Sequence, residues 1–282
     1  MDRHESKIPG PTLARRALGM RLTKARGMRG ETPGQVAQAA LDQHRNTIVR
    51  IESGAQGVKK HQLDAICEHL GITGVERSYL HTLRVRSNER GWWEPYFDAG
   101  SGSVVNPAFP MFLETEQVAE HIRVLESELI PGLLQTPEYL AALQAAQAHV
   151  PEDVLASIRD LRSRRQQLMY SRAELPHMEF IVGPGAIRYL HLLDPEVRDS
   201  QVRRLLELAE NPKVNISVPK GLHPGAGHGF NILDADGGTF LFLDALDGCR
   251  YVENSPVVSL HKEVFAATQA MTVTIEEYLY DS

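Results

Sequence analysis

The amino-acid sequence predicts a mainly α chain with a smaller α+β part, and three observations predict it. Apolar residues recur at helical spacing from residue 12 to about residue 172. Strand-like runs (MEFIV, NISVP, FNILDA, TFLFLDA and CRYVEN) are confined to the stretch after Pro176. The charge also changes sign: residues 1–90 hold 16 Lys and Arg against 9 Asp and Glu, a net of +7, whereas residues 91–282 hold 14 against 27, a net of −13. The organisation implied is a flexible arm over 1–11, a helical domain over 12–87, and a domain over 88–282 of helices with a small mixed sheet.

At 282 residues the chain can bury a substantial core in two domains. No apolar run approaches the ~18 residues of a membrane helix, and MDRHESKIPGP carries no signal-peptide stretch. Cys67 and Cys249 are too few for a disulfide framework. These readings place the protein in the cytoplasm with no membrane partner. The basic N-terminal third predicts contact with a polyanion, hence a nucleoid-associated location.

In chain order, a first helix is expected from Thr12 to about Met28. Leu13, Ala17, Met20 and Leu22 form its apolar side, and Arg15, Arg16, Arg21, Lys24, Arg26 and Arg29 a basic side able to touch phosphate. Thr32 and Gln35 fit a capping box, with Pro33 at the first helical position, where its missing N–H costs nothing. Val36, Ala37 and Ala40 give this short helix a small apolar face. A second helix follows at once, about His44–Ser53, with Ile48 and Ile51 inward and Gly54 closing it. Two short helices on a tight turn, the second polar at its start, describe a helix-turn-helix whose second helix enters the DNA major groove. Helices of about His61–Leu70 (Leu63, Ile66, Cys67 and Leu70 inward) and Glu76–Arg86 (Tyr79, Leu80 and Leu83) complete a set of five.

Trp92 and Trp93 stand at the boundary, as packing anchors between domains or as a ligand platform. GSGS at 100–103 reads as a flexible loop. Phe112, Val118, His121, Ile122 and Leu125 then recur at helical spacing. ELIPGLLQTPEYL breaks at Pro131-Gly132 and restarts with Thr136 as N-cap. Helices of about Pro137–Ala148 and Pro151–Arg172 follow. The second carries Arg159, Arg162, Arg164, Arg165 and Arg172, read as a solvated or salt-bridged face. Among the strands lie an amphipathic helix over 194–210 and a hairpin signal at Asp236-Gly237-Gly238. A closing helix is expected over Ser259–Met271, and Thr274 caps a last short one.

Residues 12–71 resemble the lambda-repressor-like, XRE-type helix-turn-helix regulators, chiefly through TIVRIESG (47–54). The remainder resembles the large C-terminal domain of many actinobacterial regulators, through RGWWEPY (90–96), LIPGLLQTPEYL (129–140) and the pair LHPGAGHGFNILD and CRYVEN. The resemblance implies a DNA-binding transcriptional regulator of the WhiJ-like or antitoxin-like type, a repressor in the first reading. In the alternative, its main role is to bind a small partner protein encoded nearby. There are departures. The turn Ala40–His44 lacks the family's Gly and is one residue longer, and His44 stands where the family prefers Ser or Thr as N-cap. Gly183-Pro184-Gly185 replaces an acidic residue before a short helix.

By the helix pattern, Arg45, Asn46 and Thr47 fall on the first turn of the recognition helix, with Arg50 one turn on. Arg matches guanine O6 and N7, Asn matches adenine N6 and N7, and a Thr methyl meets the thymine methyl. Thr32, Gln35, Lys59 and Lys60 are the candidate phosphate contacts. One such module reads too few base pairs to find a promoter, so a homodimer on a near-palindromic site of double-stranded DNA is expected. The C-terminal domain is larger than dimerisation requires, and a signal is expected to reach it. That signal is a small-molecule effector in an apolar pocket or a small partner protein, and the candidate contacts are Trp92, Trp93, Pro131, Gly132, Leu133, Leu134 and Gln135.

An enzyme is the rival class. HPGAGHG (223–229) sets His223 and His228 five apart, with Asp234, Asp236 and His261 as the evident further ligands. The loop matches no phosphate-cradling pattern, and no Ser or Cys sits in a nucleophile elbow. No catalytic residue, metal or cofactor is therefore expected.

Overall fold

The computed structural model describes residues 13–96, 108–146, 150–235, 238–244, 249–253 and 255–281. The arm over 1–11, the GSGS loop and the turn residues Asp236 and Gly237 lie outside the described residues. The chain divides after Glu94 into two compact units.

The first unit holds α1 (Leu13–Met28), α2 (Pro33–Val36), α3 (Arg45–Glu52), α4 (Lys60–Leu70) and α5 (Gly74–Arg86). The capping box forms as the residues predict: Gln35 N–H donates to Thr32 Oγ1 at 3.3 Å, and Thr32 N–H to Gln35 Oε1 at 2.7 Å. α2 continues as a π-helical turn, Ala37–Leu41. A π turn holds one residue more than an α turn, room for the extra residue of this connection. Asp42 then takes the left-handed conformation (φ 51°) that the missing Gly would have supplied. Gln38 Nε2 holds its carboxylate at 2.8 Å. Val36, Ala37, Ile48, Ile51, Leu63, Ile66, Cys67, Leu80 and Leu83 share one core with Leu18 and Leu22 of α1.

The second unit is built on a seven-stranded sheet of order β6-β5-β4-β1-β2-β3-β7. The strands are β1 (His121–Glu126), β2 (His177–Val182), β3 (Val214–Pro219), β4 (Phe230–Ala235), β5 (Gly238–Leu243), β6 (Arg250–Glu253) and β7 (Thr272–Thr274). β1, β2 and β3 are parallel, and the other neighbours pair antiparallel. The helices are α6 (Ala108–Val118), α7 (Pro137–Ala145), α8 (Glu152–Tyr170), α9 (Pro184–Leu190), α10 (Pro195–Ala209), α11 (Pro256–Gln269) and α12 (Ile275–Asp281). α7–α8 and α9–α10 are the crossovers that parallel neighbours require. Leu125, Ile181, Phe230, Ile232 and Leu241 form a core with Val258 and Phe265 of α11. By register, Val124, Phe180, Asn231 and Phe242 lie on the opposite face.

Two expectations are corrected here. The apolar residues around His121, Ile122 and Leu125 do not continue a helix: α6 stops at Val118, and His121–Glu126 is the central strand of the sheet. The α8 arginines do not all face solvent either. Arg165 is buried and donates Nε and Nη2 to the buried Glu116 carboxylate, both at 2.6 Å, with its guanidinium 5.1 Å from the Phe112 ring centre. Among the described residues, Arg159 keeps the exposed type of pair, with Glu152 at 2.5 Å. Glu116→Ala should lower the stability of the second unit by about 3–5 kcal/mol, because it strands a buried guanidinium. Glu116→Leu combined with Arg165→Met should recover most of that loss, and urea unfolding of both variants checks it.

Candidate nucleic-acid interface

The geometry of α3 follows from what its inner side can tolerate. Ile48 and Ile51 are buried in the core, and Thr47 and Glu52 flank them half-buried. At 100° per residue the remaining positions, Arg45, Asn46, Val49 and Arg50, share one exposed face. The side chains of Arg45, Asn46 and Arg50 make no hydrogen bond or ion pair among the described residues. Thr47, expected in the reading set, sits on its margin. Val49, 38% exposed at the centre of the face, was missed because an apolar residue there gives no signal of its own. His44 is the N-cap in extended backbone, and its side chain makes no cap bond.

The far end of α3 is clamped by α1. A Cβ on Gly19 would collide with the carbonyl groups of Ile51 and Glu52, so the two backbones meet only because residue 19 has no side chain. Arg16 Nη1 donates to the Ser53 carbonyl at 2.6 Å. Arg26 grips the Glu52 carboxylate at 2.6 and 2.9 Å and the Glu31 carbonyl at 2.8 Å. Gly54, in the left-handed region at φ 72°, lies against the Arg16 backbone, where a Cβ would come within 3.2 Å of Arg16 Cα. Arg15 bonds the Ser87 carbonyl, Arg21 pairs with Glu76 and Arg29 with Glu31. The basic side of α1 is therefore a brace: five of its six cations are spent inside the unit, and only Lys24 stands exposed without a partner among the described residues.

The candidate phosphate contacts divide in the same way. Lys59 and Lys60 are exposed at the start of α4, where Gln62 Oε1 takes the Lys59 N–H at 3.1 Å. The Thr32 hydroxyl is consumed by the cap, which leaves the Gln35 amide nitrogen as the outward donor of that pair. Glu31 is held below the usual carboxylate range by its hydrogen bonds to Arg29 and then His69.

In the second unit, loop 129–136 is held from several sides. Gln201 of α10 accepts from Thr136 N–H at 2.8 Å and donates to the Leu134 carbonyl at 2.9 Å. Gln166 of α8 donates to the Gly132 and Gln135 carbonyls, and Tyr170 to that of Leu133. Pro131, Gly132, Leu133 and Gln135 line a cavity of about 210 Å³ with Phe112, Glu126 and Arg162. Leu134 is fully buried and is not among the residues that line it, and Trp92 and Trp93 belong to the first unit. Among the described residues no group of three His, Cys, Asp or Glu could hold a metal ion; the candidate ligand Asp236 lies outside them. No helix among them is long and apolar enough to cross a membrane.

A family model described as a helix-turn-helix domain matches residues 17–80. A second, described as a domain of unknown function (DUF5753), matches residues 109–277. No curated protein and no solved structure matches the chain.

Two glycines of one helix should respond with opposite sign. Gly19→Ala should cost about 1–3 kcal/mol or more through overpacking against α3. Gly27→Ala, where a Cβ meets nothing within 4 Å, should stabilise by about 0.5–1 kcal/mol. Thermal melts followed by circular dichroism distinguish the two.

Proposed function

Since the chain belongs to the DUF5753 family and carries a helix-turn-helix domain ahead of that region, we propose that it is a sequence-specific DNA-binding transcriptional regulator whose second unit receives the signal. The observation that carries this reading is the exposed, unpaired set Arg45, Asn46 and Arg50 on a helix whose other face is locked. A side chain can read a base edge only if it is not already satisfied and if its helix cannot roll. In this reading Arg45 bonds guanine O6 and N7, Asn46 bonds adenine N6 and N7, and Val49 meets a thymine methyl. Lys59, Lys60 and the Gln35 amide take phosphates on either side.

The net of +7 over residues 1–90 supplies the salt-dependent attraction to duplex DNA, and the net of −13 over residues 91–282 turns the rest of the chain away from it. One recognition helix covers too few base pairs for a unique genomic address. The working form is therefore a homodimer on a near-palindromic operator with half-sites about 34–36 Å apart. It acts as a repressor by occupying that site, and it performs no catalysis.

Arg45→Ala and Asn46→Ala should each weaken operator binding by about 1–3 kcal/mol and relax preference at a single base pair. Lys59→Ala should instead weaken all sequences alike and reduce the slope of log affinity against log salt by about one. Fluorescence anisotropy with an operator selected from random duplexes reads both. Unchanged preference in the Arg45 variant would refute the assignment of α3 as the reading helix.

A further inference from the structure

The cavity beside loop 129–136 has a composition that packing alone does not explain. Its walls are the rings of Phe109, Phe112, Phe180 and Phe242 with Val124 and Leu133, yet charged groups line the same space. Arg165 is already satisfied by Glu116. Arg162 makes no hydrogen bond or ion pair among the described residues, although it lies against the Gly132 backbone, where a Cβ would strike its guanidinium. Glu126, from the end of β1, is likewise without a bonded partner among the described residues. Gln135 Oε1 is buried and accepts nothing. A space walled in part by phenylalanine rings thus holds, besides the Arg165–Glu116 pair, the Arg162 guanidinium and two carboxyls, Glu126 and Asp244, with no ion pair among these three within the described residues.

Their surroundings are costly to both. Burial, and then the nearby Asp244, pushes the Glu126 carboxyl up to about 7. Burial, and then Arg165, pulls Arg162 down to about 10. An isolated anion in this space meets Arg162 but also the Glu126 and Asp244 carboxyls, and an isolated cation meets those carboxyls but also Arg162. A molecule with both charges meets two favourable groups and replaces the water each has lost. The space, about 210 Å³, has room for several waters or for one small metabolite.

We propose that this cavity binds a small zwitterion of free amino-acid size, with its carboxylate on the Arg162 guanidinium, its ammonium on the Glu126 carboxylate and its side chain among the phenylalanine rings. The guanidinium offers a carboxylate two parallel N–H donors, and the aromatic walls favour an apolar side chain. The proposal deepens the reading of the second unit as the part that receives the signal, and it names the chemical class of that signal.

The test uses the full chain without DNA, titrated with each proteinogenic L-amino acid by thermal shift and then calorimetry. At least one apolar amino acid should raise the melting temperature. For L-phenylalanine the matched probes are 3-phenylpropionate, which lacks the amine, and phenethylamine, which lacks the carboxylate; each should bind at least about tenfold more weakly. Binding should release a proton near pH 7 and weaken as the pH falls below 7, because the ammonium needs Glu126 ionised. Arg162→Gln and Glu126→Gln should each lose the response. No shift with any amino acid, or equal binding of the amine-free acid, overturns the proposal, and this comparison needs no variant to fold. A folded Arg162→Gln protein that keeps full affinity also overturns it. Amino-acid binding that leaves operator affinity unchanged would instead remove the signalling role and keep the site.

Discussion

The first unit depends on how closely α1 can approach the end of α3. Glu52 is where that approach happens. Its carbonyl occupies the space a side chain on residue 19 would need, and its carboxylate is held by Arg26 through two bonds. Because backbone meets backbone there, the axis of α3 has little freedom to tilt, and the outward direction of Arg45, Asn46, Val49 and Arg50 is set by contacts on the opposite side of the helix. The π turn of α2 holds one residue more than an α turn before α3 begins.

The second unit solves a different problem: a loop with many carbonyls has to lie inside. Side-chain amides do most of this, since Gln201 both donates and accepts on loop 129–136 while Gln166 spans two of its carbonyls. Such amides cost little to bury when each hydrogen-bonding group is matched, and a great deal when one is not. The Glu116–Arg165 pair nearby follows the same rule with full charges. Arg162, Glu126 and Gln135 Oε1 have no bonded partner among the described residues, and all three lie at one cavity.

The helical unit was legible because its signals are local. A Thr and a Gln three residues apart, a Pro between them, and glycines at 54 and 71 each act within one turn of chain. The sheet was less so. HIRVLE alternates half-buried polar and buried apolar residues over only four positions before Leu125 breaks the pattern, and its apolar residues fall at helical spacing with Val118. Arg165 looked like a surface charge since its partner is 49 residues away. The cations of α1 were read as free for the same reason: Glu52, Glu76 and the Ser53 and Ser87 carbonyls come from helices that only the fold brings alongside. The exposed face of α3 was legible at Arg45, Asn46 and Arg50; Thr47 lies half-buried on its margin, and the place of Val49 at its centre shows only once Ile48 and Ile51 fix which way the helix faces.

The two outermost strands of the sheet have a consequence for assembly. β6 has four residues and β7 three, and each runs almost at once into a helix. Margins this short offer a neighbouring chain too few open backbone groups to extend the ladder, a common safeguard against runaway stacking. Growth of the sheet by strand addition is therefore disfavoured, and the apolar side chains that α11 turns to solvent, Val257 and Leu260, lie off the ladder.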